Sequence, residues 1–179
     1  MNKDILFAVA ALILGCAACA GEAKVTWQEP DKYTDIREGN ELRDRFREQL
    51  FMEFELMLAD LANQLPDDCL FEVTVTDVDL AGEVNWMHAG AWQNIRIIKD
   101  IYWPRMSFSY TLKHTTRGLL ASGQEDIKDL AFMSSDRSSA RTRFGYEEKM
   151  LKSWFKKQQR DGKFPVRDKP AKPDSNQKP

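Results

Sequence analysis

Cysteine is scarce in this 179-residue chain, and two of its three copies, Cys16 and Cys19, fall within the first twenty residues. Only Cys69 lies beyond them, and one thiol cannot form an internal bridge, so a fold built from residue 21 onward must stand on its core. Histidine is scarcer still, with His88 and His114 alone. Neither belongs to a His-Glu-x-x-His pattern, and the single Cys-x-x-Cys, Cys16 to Cys19, lies in the first twenty residues with no second pair to complete it, so a recognised zinc motif is absent. Phosphate-binding glycine loops and dinucleotide fingerprints are missing too. Ser122-Gly123 is not part of a Gly-x-Ser-x-Gly nucleophile elbow. The formal net charge of -2 supplies no global field toward nucleic acid.

What is present begins with an address. Lys3 precedes the ten-residue apolar run Ile5–Leu14, which is too short to span a bilayer as a mature helix. Ala18 and Ala20 supply small residues at the -3 and -1 positions of a cleavage site. Residues 1–20 therefore read as a secretory signal peptide and the product as exported and periplasmic. A lipoprotein signal with Cys16 as the acylated residue is the competing reading, and membrane attachment is expected only in that case.

Hydrophobic residues make up 42% of the chain and charged ones 30%, enough for one ordinary core. Residues 21–162 read as a single domain and 163–179, rich in lysine and proline, as a disordered basic tail. The stretch 156–179 holds eight Lys or Arg against three Asp, which leaves residues 21–155 at a net -7.

The organising stretch is Phe71–Leu80. Phe71, Val73 and Val75 alternate with Glu72, Thr74 and Thr76, the period of a half-buried strand. Val78 and Leu80 then fall on the wrong parity. Either a β-bulge near Asp77 restores the apolar face or the strand ends there. A first strand spans 24–30. A helix is expected from Glu41, with Asn40 as N-cap, on the stripe Leu42, Phe46, Leu50, Phe54, Met57, Leu61 and Leu65 until Pro66 stops it. Further strands are expected at 94–99, 106–112 and 119–126, a short helical piece at 127–132, and a last helix presenting Tyr146, Met150, Leu151, Trp154 and Phe155. The order β-α-β-β-β-β-α predicts an α+β two-layer sandwich, a four- to five-stranded, mostly antiparallel sheet with two helices on one face. The first crossover predicts a parallel first pair.

Candidate chemistry is thin. Asp77, Asp79 and Glu83 open like a calcium loop, but Ala81 and His88 stand where ligands are needed. Aspartates at a strand end also serve as acceptors for turn amides. Trp86, Trp92, Tyr102 and Trp103 form either a loop platform or a cap on the core. If the strand 106–112 lies beside the central one, Arg105 is within reach of Asp77 or Asp79.

Four separated stretches then point the same way: Pro30-x-x-Tyr33-Thr34-Asp35, Val75–Gly82, Trp103-Pro104-Arg105 and Tyr146-Glu147-x-Lys149-Met150-Leu151-x-x-Trp154-Phe155. Together they resemble the domain of unknown function 3016 family. The resemblance implies a secreted or envelope protein of Gram-negative bacteria, and it brings no activity and no catalytic residue. The leading expectation is a non-enzymatic periplasmic or cell-envelope binding or assembly module, without cofactor or metal, whose partner is an envelope protein or polymer and not nucleic acid. Its motif residues are Tyr33, Asp35, Asp77, Asp79, Trp103 and Arg105. The alternative is a cation-dependent or hydrolytic enzyme centred on Asp77, Asp79 and His88, which a deep pocket joining those three would favour.

Overall fold

The computed structural model describes residues 21–38, 42–85, 95–134 and 137–167. The expected signal segment with Cys16, the N-cap candidate Asn40, and Trp86, His88 and Trp92 lie outside the described residues.

The α+β class holds. Strands β1 (Glu22–Trp27), β2 (Cys69–Asp79), β5 (Arg105–His114) and β6 (Gly118–Lys128) form one sheet in the order β1-β2-β5-β6. β1 runs parallel to β2, as its helical crossover requires, and the other pairs are antiparallel. The segment expected to be a fifth strand of this sheet is instead β4 (Ile95–Ile97). It pairs with a short strand the sequence did not announce, β3 (Glu83–Asn85), in a separate ribbon.

β2 resolves its own parity conflict with a bulge. Val75 pairs with Phe108 and Asp77 with Ser107, so Thr76 is the extra residue. Phe71, Val73, Val75 and Val78 consequently all face the core, and Asp77 and Asp79 stay on the open, polar face. Met106, Phe108, Tyr110 and Leu112 on β5 continue the apolar face without a break.

Helices α1 (Arg43–Ala62) and α2 (Gly145–Arg160) cover that face. α1 starts later than its sequence suggests. Leu42, expected in the buried stripe, is the N-cap, 74% exposed, and no side chain caps the helix. Phe46, Leu50, Phe54, Leu58 and Leu61 carry the buried stripe, one turn apart each time. The expected helical piece at 127–132 is absent because Ile127 and Lys128 extend β6 and turns follow.

The tail begins later than expected, because Phe164 belongs to the core. It is 1% exposed, and its ring lies edge-on to Tyr110, Trp154, Phe155 and Phe71 at centroid distances of 5.3–5.7 Å. Arg167 then ties the segment to the end of α1, its amide donating to the Gln64 carbonyl at 3.2 Å and its guanidinium reaching Asp67 at 2.7 Å. An isolated aromatic among lysines and prolines reads as tail, and only the cage of four rings shows otherwise.

Candidate functional site

Two polar constellations flank the end of β2. The first contains the residues expected from the sequence. At the bulge, Asp77 accepts from the Thr34 amide at 2.6 Å, from the Thr34 hydroxyl at 2.7 Å and from the Arg105 guanidinium at 2.9 Å. Burial alone would raise the Asp77 carboxyl, but those donors hold it below its ordinary value. Tyr33 donates its hydroxyl to the Val75 carbonyl at 2.9 Å, and burial pushes that phenol up to about 12.

Asp35 rejoins the edge of β2 beside Asp79, its amide donating to the Val78 carbonyl and its carbonyl accepting from Leu80. Asp79 is raised, first by burial and then by the nearby Asp35 carboxylate. Trp103 stands apart at 38% exposure, neither in the core nor in this cluster. The structure thus joins Tyr33, Asp77 and Arg105 with Thr34 as a lock between the β1–α1 connection and the sheet. Among the described residues no group of three or more His, Cys, Asp or Glu is placed to hold a metal ion. Cys69 is buried, with its thiol raised by that burial.

The second constellation was not singled out from the sequence. A cleft of about 460 Å³ opens where α1, the end of β2, β4 and the start of α2 meet. Phe46, Leu80, Ile98 and Phe144 give it apolar walls. Arg37, Arg96 and Arg143 bring three guanidiniums to it, and Glu147 is its acid. Neither Asp77 nor Asp79 lines it.

Arg96 holds the cleft together. Its guanidinium makes a two-point contact with the Asp35 carboxylate at 3.1 and 3.3 Å. It also donates to the carbonyls of Gly82 and Arg37, each at 3.1 Å. Gly82 adopts φ +81, and a side chain there would strike the Ile97 carbonyl at 2.5 Å, so glycine alone lets the ribbon close over β2. Gly145 plays the same part at the start of α2, where a Cβ would meet the Ser139 carbonyl at 2.2 Å.

Glu147 is 3% exposed and accepts from the Ala81 amide at 2.8 Å. Burial raises its carboxyl above the ordinary value, against the pull of that amide, of its own backbone amide and of Arg96. Arg143 lies over the rings of Phe46 and Phe144 at 5.0 and 5.7 Å and donates to Gln49 at 2.7 Å. A signal for Glu147 does exist in the sequence. It precedes Met150, Leu151 and Trp154 at helical spacing, which puts an acid on the apolar face of α2.

A family model described as protein of unknown function, DUF3016, matches residues 21–157. No curated protein and no solved structure matches the chain.

Proposed function

The chain belongs to the DUF3016 family of proteins of unknown function, and from that premise we propose that it is an exported, non-enzymatic binding module of the cell envelope. The observation that carries the reading is the cleft between α1, β4 and α2. Its size falls in the range of small-ligand sites, and it combines apolar walls with a few placed polar groups, the usual composition of such sites. The carboxylate on which a hydrolytic reading would lean is committed elsewhere: Asp77 has both oxygens engaged by Thr34 and Arg105. Export is supported by the h-region Ile5–Leu14 and the Ala18-x-Ala20 site.

The test has two parts. Cell fractionation with intact mass of the recovered chain should place it in the periplasm or envelope without residues 1–20. A full-length cytoplasmic product would overturn export. A thermal-shift survey of small envelope-derived compounds should give saturable stabilisation that Ala140→Trp, which fills the cleft from its lining, abolishes. Turnover of a chromogenic ester or phosphate by the wild type that Asp77→Asn removes would overturn the non-enzymatic reading.

A further inference from the structure

β6 is an outer strand of the sheet, with β5 as its one neighbour among the described residues. Its bulge falls at Leu120, so 121–128 runs on as regular strand without a proline. The backbone N–H and C=O groups on its far side form a row without a strand partner among the described residues. Beside that edge a groove of about 600 Å³ separates β6 from the flank of α2. Trp154 and Gln158 line it, 6% and 3% exposed, and each has unfinished hydrogen bonding. Neither Trp154 Nε1 nor Gln158 Oε1 has a partner among the described residues. The Gln158 amide is fixed in orientation, because its Nε2 donates to the Glu125 carboxylate at 3.3 Å and an oxygen turned that way would meet another acceptor.

We infer that this groove receives an extended segment of a partner protein, which pairs with β6 and sends one asparagine or glutamine side chain toward α2. A buried donor and a buried acceptor four residues apart on one helix face call for a group that offers both. A primary amide does so from two separate atoms: its carbonyl accepts from the Trp154 indole N–H, and its NH2 donates to Gln158. A carboxylate supplies only acceptors and an ammonium only donors, so either leaves one of the two unpaired. The strand edge sets the rest of the chemistry. An added strand satisfies the outer main-chain groups of β6, and its alternate side chains point to the helix-covered face. A second copy of this chain does not fit. On β6, Ala121, Gly123, Glu125 and Ile127 lie opposite the core residues of β5. An antiparallel β6 from another copy would turn those same side chains toward α2, and none carries both a donor and an acceptor. The groove shares no lining residue with the cleft between α1, β4 and α2.

The experiment is isothermal titration calorimetry of the full chain with capped peptides Lys-Val-Thr-Xaa-Thr-Val-Lys, in which Xaa is Gln, Leu or Glu, joined to hydrogen exchange of the β6 amides. The expected result is saturable binding of the Gln peptide at one per chain, about tenfold tighter than the Leu or Glu peptide. Exchange should slow at alternate amides within 121–128, and replacing both threonines of the peptide with proline should abolish binding. Trp154→Phe removes the indole N–H and keeps a ring, and it should bring the Gln and Leu peptides to similar affinity. Ser153→Trp, on the groove wall, should remove binding, while Ala140→Trp in the cleft leaves it unchanged. Ser153 is exposed, so its variant keeps the test open where Trp154→Phe disturbs the fold. Equal binding of the Gln and Leu peptides by the wild type would overturn the amide contact. Binding without slowed exchange along β6 would overturn strand pairing, and no binding of any of the three peptides would overturn both.

Discussion

Arg105 on β5 reaches across the bulge of β2 to Asp77, Nη2 to Oδ2, at 2.9 Å. The same guanidinium lies 3.9 Å from Asp126 on β6, so one arginine gathers three strands. Thr34 meets the other side of the Asp77 carboxylate, which ties the β1–α1 connection to the sheet.

That arrangement predicts coupled losses. Asp77→Asn weakens bonds from three donors and should cost about 1–3 kcal/mol. Arg105→Met should cost less, because the side chain is about a third exposed and its charge is screened. The double variant should lose less than the two together. Because the Asp77 carboxyl is held low, its contribution is present above the unfolded value of 3.8 and disappears as pH falls through the lower folded value. Urea denaturation of the three variants at pH 7 and at pH 3 checks both statements. Additive losses would separate the pair.

Phe164 should be among the costliest single sites. Phe164→Ala empties a space between Phe71, Tyr110, Trp154 and Phe155, and large-to-small changes of this kind cost about 3–5 kcal/mol. A chain ending at Gly162 should melt at least as low. A thermal melt of the truncated chain close to that of the longer one would contradict the cage.

Glu147 gives a pH dependence of the opposite sign to Asp77. Its folded value is raised above the ordinary 4.5, so burying it as a neutral acid stabilises fully below that value. The stabilisation then declines as pH rises through the raised folded value. Glu147→Gln keeps an acceptor for the Ala81 amide and removes the titration. Relative to the variant, the wild type should lose stability as pH rises above the ordinary carboxylate value. Parallel stability curves over that range would show Glu147 to be charged throughout.

Val73→Asp tests the centre of the sheet. Val73 is 1% exposed, paired with Val25 on one side and Tyr110 on the other. An unpaired carboxylate there should cost about 3–5 kcal/mol. Chemical denaturation within a few tenths of wild type would misplace the strand.

The sheet was legible because its strands keep strict alternation. The Val75-to-Val78 parity break already poses the bulge question in the sequence, and the register shift answers it. The Arg105–Asp77 contact followed from adjacency of the two strands that carry them. The β3–β4 ribbon was not legible, since three-residue strands carry too few alternations to register. The start of α1 misled because Leu42 fits the stripe by spacing, while a first-turn residue need not reach the core. The cleft escaped notice because it is assembled from five separate stretches, and no local pattern links Arg37, Arg96, Arg143 and Glu147.

The aromatic cage also draws on the far end of the chain. β2, β5 and β6 meet through successive antiparallel pairings, but the ring that closes their apolar face comes from beyond α2. When such a chain emerges N-terminus first, the cover that α2 gives Phe71 and Tyr110 through Trp154 and Phe155 stays incomplete until Phe164 arrives. Partial chains therefore expose a sticky aromatic surface and invite misassociation. A protein built this way cannot complete its apolar face until residue 164 has been made.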